Sequence, residues 1–112
     1  MPTQEWSDRI WLVQPGDEPE LSEELIGARD KASQAEPAPH IVVDCGGVRQ
    51  MSSSNISQLL RLRKVTVDRG SRLIIANVRD GVWVLFLTTA LDKVFDFTPD
   101  VPTALAALQL GE

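Results

Sequence analysis

The sequence predicts a single α/β domain, in which strands and helices alternate along the chain. Short apolar runs at residues 9–13, 41–43 and 72–76 favour strands. Segments whose apolar residues recur at helical spacing lie between these runs. The connections are short and several contain Gly or Pro. This order of elements is typical of an α/β domain.

The first half is predicted to contain a strand, a helix and a second strand. Pro15-Gly16 ends the first strand with turn-forming residues. From Glu20 onward the spacing indicates a helix, and residues 37–39, Pro-Ala-Pro, then break the chain. Ile41–Val43 is apolar on both faces, as expected of a covered central strand. The predicted buried residues of the helix are Leu21, Leu25, Ala28 and Ala32.

A second helix is predicted to begin among residues 53–55, Ser-Ser-Asn, which are all favourable N-caps. Asn55 with Gln58 three residues later resembles a capping box, although Ser or Thr is the usual first member. The helix is predicted to end at residues 69–70, Arg-Gly. Its predicted buried face consists of Ile56, Leu59 and Leu60, with Leu62 as a further candidate.

The last third is less regular. The apolar run at residues 82–87 is ambiguous, because its propensity favours a strand while its flanking residues also allow a short helix. Residues 94–97 suit an edge strand. Asp100 is predicted to cap a last helix, with Pro102 in its first turn and Gly111 at its end.

Length and composition exclude several classes of protein. A chain of 112 residues supports one domain with a modest core, which we assign to residues 9–110, with residues 1–8 as an N-terminal extension or edge strand. No segment resembles a membrane-spanning helix or a signal peptide. The single Cys45 excludes an internal disulfide and fits a cytoplasmic location. Since there is also one His only, no metal site and no cofactor is predicted.

The net charge of −5 is unevenly distributed. Residues 1–40 carry −6, residues 41–79 carry +5 and residues 80–112 carry −4. Nucleic-acid binding usually requires a more basic domain with aromatic residues among the cations, and Tyr is absent here. The locally basic centre therefore favours a protein partner.

The most informative stretch is residues 41–56, in which a strand ending at Asp44 leads through Gly46-Gly47 to three serines at a helix start. A helix N-terminus gathers unsatisfied N–H groups and a positive dipole, so a phosphate added there would be accommodated. This favours a regulatory switch over an active site, with simple helix capping as the alternative. The glycines lack the spacing of a nucleotide loop, and Asp44 has no catalytic mate in the sequence.

These residues resemble the STAS domain family, named for sulphate transporters and anti-sigma-factor antagonists. Residues 41–48 resemble the family's central strand, and residues 51–56, Met-Ser-Ser-Ser-Asn-Ile, align with its Asp-Ser-Ser-Gly-Leu switch motif. Residues 69–78 and 91–97 resemble later segments of the family. The resemblance implies an α/β STAS-like single domain with a mixed β-sheet of four to five strands and helices mainly on one face. It also implies a helix at residues 82–87.

The resemblance further implies a cytoplasmic bacterial regulatory module, similar to anti-sigma-factor antagonists, that is not an enzyme and has no catalytic residue. In that branch an anti-sigma factor with serine kinase activity phosphorylates the second motif serine, which is Ser54 here, with Ser53 as the alternative. Ser52 and Asn55 stand where the motif has Asp and Gly. The predicted partner-binding residues are Ser52, Ser53, Ser54, Asn55, Ser57, Gln58, Arg61 and Trp83.

Several alternatives stay open at the level of sequence. The domain is either switched by phosphorylation or a constitutive scaffold, and a third candidate is a small-ligand or lipid-binding protein with a pocket near Ser52. Arg61 and Lys64 form either a solvated helix face or a contact with an acidic partner. Trp83 and Leu87 mark either an interface or a buried helix. No nucleic-acid partner and no membrane insertion are predicted, and a homodimer is left open.

Overall fold

The computed structural model of the protein describes residues 3–7 and 9–110. Its centre is a five-stranded sheet with the strands in chain order. The first strand runs antiparallel to the second, and the other three continue parallel to the second. The predicted mixed sheet of an α/β domain is therefore confirmed. The strands are β1 (Thr3–Ser7), β2 (Ile10–Val13), β3 (His40–Asp44), β4 (Leu73–Ala76) and β5 (Asp96–Thr98).

Three helices follow β2, β3 and β4 and pack on one face of the sheet, while a fourth packs on the other face. The helices are α1 (Glu20–Gln34), α2 (Ser53–Asp68), α3 (Asp80–Thr88) and α4 (Val101–Leu110), and a 3₁₀ helix covers Leu91–Lys93. The ambiguous run at residues 82–87 is helical, as the family resemblance implies. No helix in the described part of the chain combines the length and hydrophobicity needed to cross a membrane.

The strand side chains alternate between two apolar clusters. Ile41 and Val43 of β3 pack in the larger cluster with α1, α2 and α3, whereas Val42 lies between the sheet and α4. Coverage of both faces explains why the central residues of β3, Ile41–Val43, are all apolar. Because β2, β3 and β4 are parallel, their carboxyl ends meet at one edge of the sheet, which we call the carboxyl edge.

Two details of the sequence prediction are wrong. Leu60 is 37% exposed and so does not belong to the buried face of α2, whereas the further candidate Leu62 is fully buried. The face that meets the sheet follows a spacing of three residues from Ile56 through Leu59. The strand predicted from Val94 begins only at Asp96. The backbone N–H groups of Val94 and Phe95 donate to the Leu91 carbonyl instead, which extends the 3₁₀ turn.

Helices α1 and α2 are joined at their carboxyl ends by Arg69. Its Nη1 donates to the carbonyl oxygens of Ala32 and Ala35 at 2.8 and 2.7 Å, and its Nη2 contacts Glu36 Oε2 at 2.7 Å. These bonds satisfy carbonyl groups that the end of a helix leaves without partners. The two helices are therefore linked at the ends that lie far from the carboxyl edge. Hydrogen bonds between the start of α2 and the start of α1 link them near that edge as well.

Candidate functional site

Asp44 organises the carboxyl edge of the sheet. Its Oδ2 accepts a hydrogen bond from Gln14 Nε2 at 3.0 Å, after β2. Its Oδ1 accepts from the Gly46 backbone N–H at 2.9 Å and from Asn77 Nδ2 at 3.2 Å, after β4. One carboxylate thus holds the ends of three neighbouring strands together. This is the structural role that the sequence favours for Asp44 over a catalytic one.

The loop after β3 is shaped by close packing. A Cβ atom on Gly46 would lie 2.4 Å from Asn77 Nδ2, and one on Gly47 would lie 3.1 Å from the Pro15 carbonyl oxygen. Cys45 between the strand and these glycines is fully buried. Burial, with a smaller contribution from the Asp44 charge, raises the pKa of the Cys45 thiol to about 12, so the thiol is not a nucleophile near neutral pH.

Ser52 is the N-cap of α2. Its Oγ accepts from the Asn55 backbone N–H at 3.3 Å, and Asn55 Oδ1 accepts from the Ser52 backbone N–H at 2.9 Å. These reciprocal bonds form a capping box between Ser52 and Asn55. The predicted box that begins at Asn55 is therefore wrong by one helical turn, because Ser52 is extended and Ser53 is already helical.

Asn55 lies beneath the surface and not on it. The side chain is 1% exposed, and its Nδ2 donates to Glu18 Oε2 at 2.9 Å, Gln58 Oε1 at 3.1 Å and Ser22 Oγ at 3.3 Å. Hydrogen bonds from the Ser22 hydroxyl and from Asn55 lower the pKa of Glu18 below its ordinary value. In the free chain Asn55 therefore ties the start of α2 to α1, and its predicted contact with a partner stays a prediction.

Ser53 and Ser54 are exposed at the first two positions of α2. Neither hydroxyl forms a hydrogen bond with the part of the chain that the structure describes. Ser57 and Arg61 follow Ser53 at intervals of four residues and are also exposed, so the three share one side of the helix. We call Ser53, Ser54, Ser57 and Arg61 the α2 stripe. Gln58 is half-buried and donates to Ser22 Oγ at 3.1 Å, so it faces α1.

Among the described residues, no ring contact and no hydrogen bond connects Trp83 to the α2 stripe. It is half-buried. Its ring meets that of Phe97 edge-on, with the ring centroids 4.8 Å apart, and its ring centroid lies 6.4 Å from that of Phe86. The outward apolar side chains of α3 are Val84, 54% exposed, and Leu87, 49% exposed. Trp83 therefore packs toward β5, while Leu87, its predicted companion, faces solvent.

The loop before α1 also belongs to this site, although no motif in the sequence marks it. Asp17 Oδ1 accepts from the backbone N–H groups of Arg49 at 2.8 Å and Gln50 at 3.4 Å, and Asp17 Oδ2 accepts from Arg49 Nε at 2.9 Å. The Arg49 side-chain and backbone bonds lower the pKa of Asp17. Asp17, Glu18, Arg49 and Gln50 line an open cleft of about 430 Å³, here called the Asp17–Gln50 cleft. These partners are 32 or more residues apart, so no local pattern reveals them.

The polar groups at the carboxyl edge are of the kind that can bind another surface. Among residues 3–7 and 9–110, no group of three or more His, Cys, Asp or Glu side chains is arranged to hold a metal ion. The carboxyl edge instead presents hydroxyl, amide and charged groups on two anchored loops and a helix start. Such groups can form hydrogen bonds and ion pairs with another surface.

Comparison with known sequences gives one family. The profile of the STAS domain matches residues 18–104, which is most of the chain. No curated protein sequence is significantly similar to the chain.

Solved structures share this fold. An assigned anti-sigma factor antagonist from Thermotoga maritima has a TM-score of 0.83 at 12% identity, over 96% of this chain and 93% of that one. An anti-sigma-factor antagonist (STAS) domain protein from Planctomyces limnophilus has a TM-score of 0.81 at 18% identity, over 96% of both chains. A serine-to-glutamate variant of RsbS from Moorella thermoacetica has a TM-score of 0.78 at 13% identity, over 97% of this chain and 96% of that one. At such identities the likeness concerns the fold.

Proposed function

The chain belongs to the STAS domain family, and we propose that it is a cytoplasmic regulatory module of the anti-sigma-factor-antagonist type. Its partner is an anti-sigma factor with serine kinase activity, which binds the α2 stripe. Phosphorylation of Ser54, or else of Ser53, releases that partner. The module acts by association and is not an enzyme. The descriptions of the Thermotoga and Planctomyces proteins as anti-sigma-factor antagonists support this class of function.

The state of the three serine hydroxyls carries the proposal. Ser52 Oγ is engaged with Asn55, from whose backbone N–H it accepts and to whose Oδ1 it donates at 3.0 Å. Ser53 and Ser54, in contrast, are exposed and have no hydroxyl partner within the described residues. A kinase can therefore reach Ser53 or Ser54 without breaking the helix cap, whereas modification of Ser52 would break it.

A phosphate at this place acts through charge. It adds about −1.5 to −2 charges at neutral pH, next to N–H groups that the first turn of a helix leaves without intrahelical partners. The free module tolerates this charge, because the helix dipole and those N–H groups stabilise an anion. A bound partner would have to remove water from the phosphate, which is costly unless the partner supplies new hydrogen bonds. Modification therefore favours the dissociated state.

Phosphorylation by the partner is the first test. The module would be used as bait on an extract of its native cells, and a retained ATPase would be purified and incubated with the module and ATP. Intact-mass and fragment mass spectrometry should show one phosphate, which Ser54→Ala abolishes and Ser57→Ala, the control on the same stripe, leaves unchanged. Loss of the phosphate in Ser53→Ala alone would move the assignment to Ser53.

The second candidate function is a constitutive scaffold, because Ser52 lacks the carboxylate of the family's switch motif. The affinity of the module for its partner distinguishes this scaffold from the switch. For the switch, Ser54→Asp should weaken binding of the purified partner by at least tenfold, with Ser54→Ala close to the wild type. Ser57→Asp controls for added charge on the stripe. Equal affinity of Ser54→Ala and Ser54→Asp would refute the switch and favour the scaffold.

A further inference from the structure

We infer that Arg49 is an anchor for a carboxylate side chain of the partner protein, bound at the Asp17–Gln50 cleft. This inference rests on the proposed function and names a recognition residue outside the α2 stripe. The cleft lies between the loop before α1 and the loop before α2. It is linked to the helix start directly, since Glu18, which lines it, accepts a hydrogen bond from Asn55.

Arg49 is both exposed and held in place. Its side chain is 76% exposed, yet Asp17 binds the residue at two points, the backbone N–H at 2.8 Å and the side-chain Nε at 2.9 Å. A long surface side chain normally loses rotamer freedom when a partner binds it. Since Asp17 has already restricted Arg49 in the free protein, less of that entropy remains to be lost on binding.

The ion pair with Asp17 leaves the two terminal Nη nitrogens of Arg49 available to a partner. Asp17 engages Nε, and neither Nη1 nor Nη2 has a partner within the described residues. The ion pairs of Arg29 and Arg69 differ in this respect, because both use Nη nitrogens. The two Nη nitrogens carry four N–H donors in one plane, a geometry suited to the two oxygens of a carboxylate.

The acidic groups of the cleft have less capacity left. Asp17 accepts three hydrogen bonds from residues 49 and 50. Glu18 accepts from the Ser22 backbone N–H at 2.8 Å, from the Ser22 hydroxyl and from Asn55. The charged group with the most unused hydrogen-bonding capacity is therefore the guanidinium of Arg49. This asymmetry favours an anionic side chain over a cationic one as the group that enters the cleft.

The test compares three variants against the purified anti-sigma partner by titration calorimetry at low and physiological salt. Arg49→Ala should weaken binding about 30-fold, as expected for an arginine that dominates a contact. Arg49→Lys should recover only part of this loss, because a lysine keeps the charge without the planar fork. Arg72→Ala removes the same charge at the opposite edge of the sheet, before β4, and should stay within about twofold of the wild type.

A double-mutant cycle then identifies the partner group. One Asp→Ala or Glu→Ala variant of the partner should weaken binding to the wild type and have little effect in the Arg49→Ala background. Circular dichroism and urea unfolding confirm that each variant is folded; Asp17 can still bind the backbone N–H of residue 49 in both Arg49 variants.

The outcomes distinguish failure of the Arg49 inference from failure of the proposed function. If the wild type binds no such partner, the proposed function fails and this inference fails with it. If the wild type binds and Arg49→Ala binds equally well, or no worse than Arg72→Ala, only the inference is overturned. Coupling of Glu18→Gln to a basic residue of the partner, with none at Arg49, would overturn the assignment of a carboxylate.

Discussion

Among the described residues, two adopt the left-handed backbone conformation at helix ends, and only one of them is a glycine. Gly70 follows α2 with φ +76, and Ala90 follows α3 with φ 60. A residue with a Cβ pays roughly 1 kcal/mol or more in this conformation, while glycine adopts it freely. Ala90 therefore sits where the geometry favours glycine.

Ala90→Gly should raise the free energy of unfolding by about 0.5 to 1 kcal/mol, since relief of the left-handed strain exceeds the added entropy of the unfolded chain. Gly70→Ala is the matched opposite change. No atom lies within 4 Å of its added Cβ, so only the backbone conformation opposes it, and it should lower the free energy by about 1 kcal/mol. Urea unfolding measures both, and a destabilised Ala90→Gly would contradict the strain.

Whether the role of a single residue can be predicted from the sequence depends on how far along the chain its hydrogen-bond partners lie. The serines at the start of α2 are visible in the sequence because capping partners lie within three residues. Asn55 looks like another cap from its neighbours, yet its Nδ2 binds Glu18 and Ser22, more than 30 residues away. Arg49 gives no local signal either, since its partner is Asp17.

Among the elements, α4 depends on Asp100, the residue that precedes it, in a way that pH can reveal. Asp100 Oδ1 accepts from the Thr103 backbone N–H at 2.8 Å, as the sequence predicts for an N-cap. Hydrogen bonds from the Thr103 hydroxyl and from this N–H lower the pKa of Asp100 from its ordinary value of 3.8. The ionised form is thus preferred more strongly in the folded chain than in the unfolded chain.

The stabilisation from Asp100 should therefore be fully present above pH 3.8 and disappear as the pH falls through the lower folded-state pKa. Asp100→Asn keeps a capping oxygen without a titrating group. The stability advantage of the wild type over Asp100→Asn should shrink on going from pH 6 to pH 3, as measured by urea unfolding at each pH. An advantage that stays constant across this range would show that the charge of Asp100 contributes nothing.

The elements differ in how well periodicity determines them. Helix α1 and its four buried residues are predicted from spacing alone. The run at residues 82–87 is too short and too apolar for periodicity to decide. In the structure, Phe86 is buried against Phe95 and Phe97, contacts that exist only once β5 is in place. The onset of β5 is missed for a related reason, since the 3₁₀ turn at Leu91–Lys93 depends on backbone bonds that side-chain pattern does not encode.

For the whole molecule, charge and fold act together on partner binding. The chain is acidic overall, so its long-range field repels an acidic partner. The basic residues of the central third lie largely on α2 and on the loops beside it. The sequence predicts this separation of charge, and the four-residue spacing places Arg61 on the same side of α2 as Ser53 and Ser57. The fold leaves all three residues exposed. Close approach would therefore be favoured at the α2 stripe.

Arg61→Glu should slow association with the purified partner by roughly three- to tenfold at low salt, with the effect shrinking as salt rises, because a charge at an interface rim acts mainly on the on-rate. Stopped-flow association at several salt concentrations measures this. Arg61 has no ion pair within the described residues, so the variant breaks no intramolecular bond. Lys93→Glu makes the same change of −2 in net charge on the 3₁₀ turn and should leave the on-rate nearly unchanged. Equal slowing by both variants would show that total charge, and not the α2 stripe, governs the encounter.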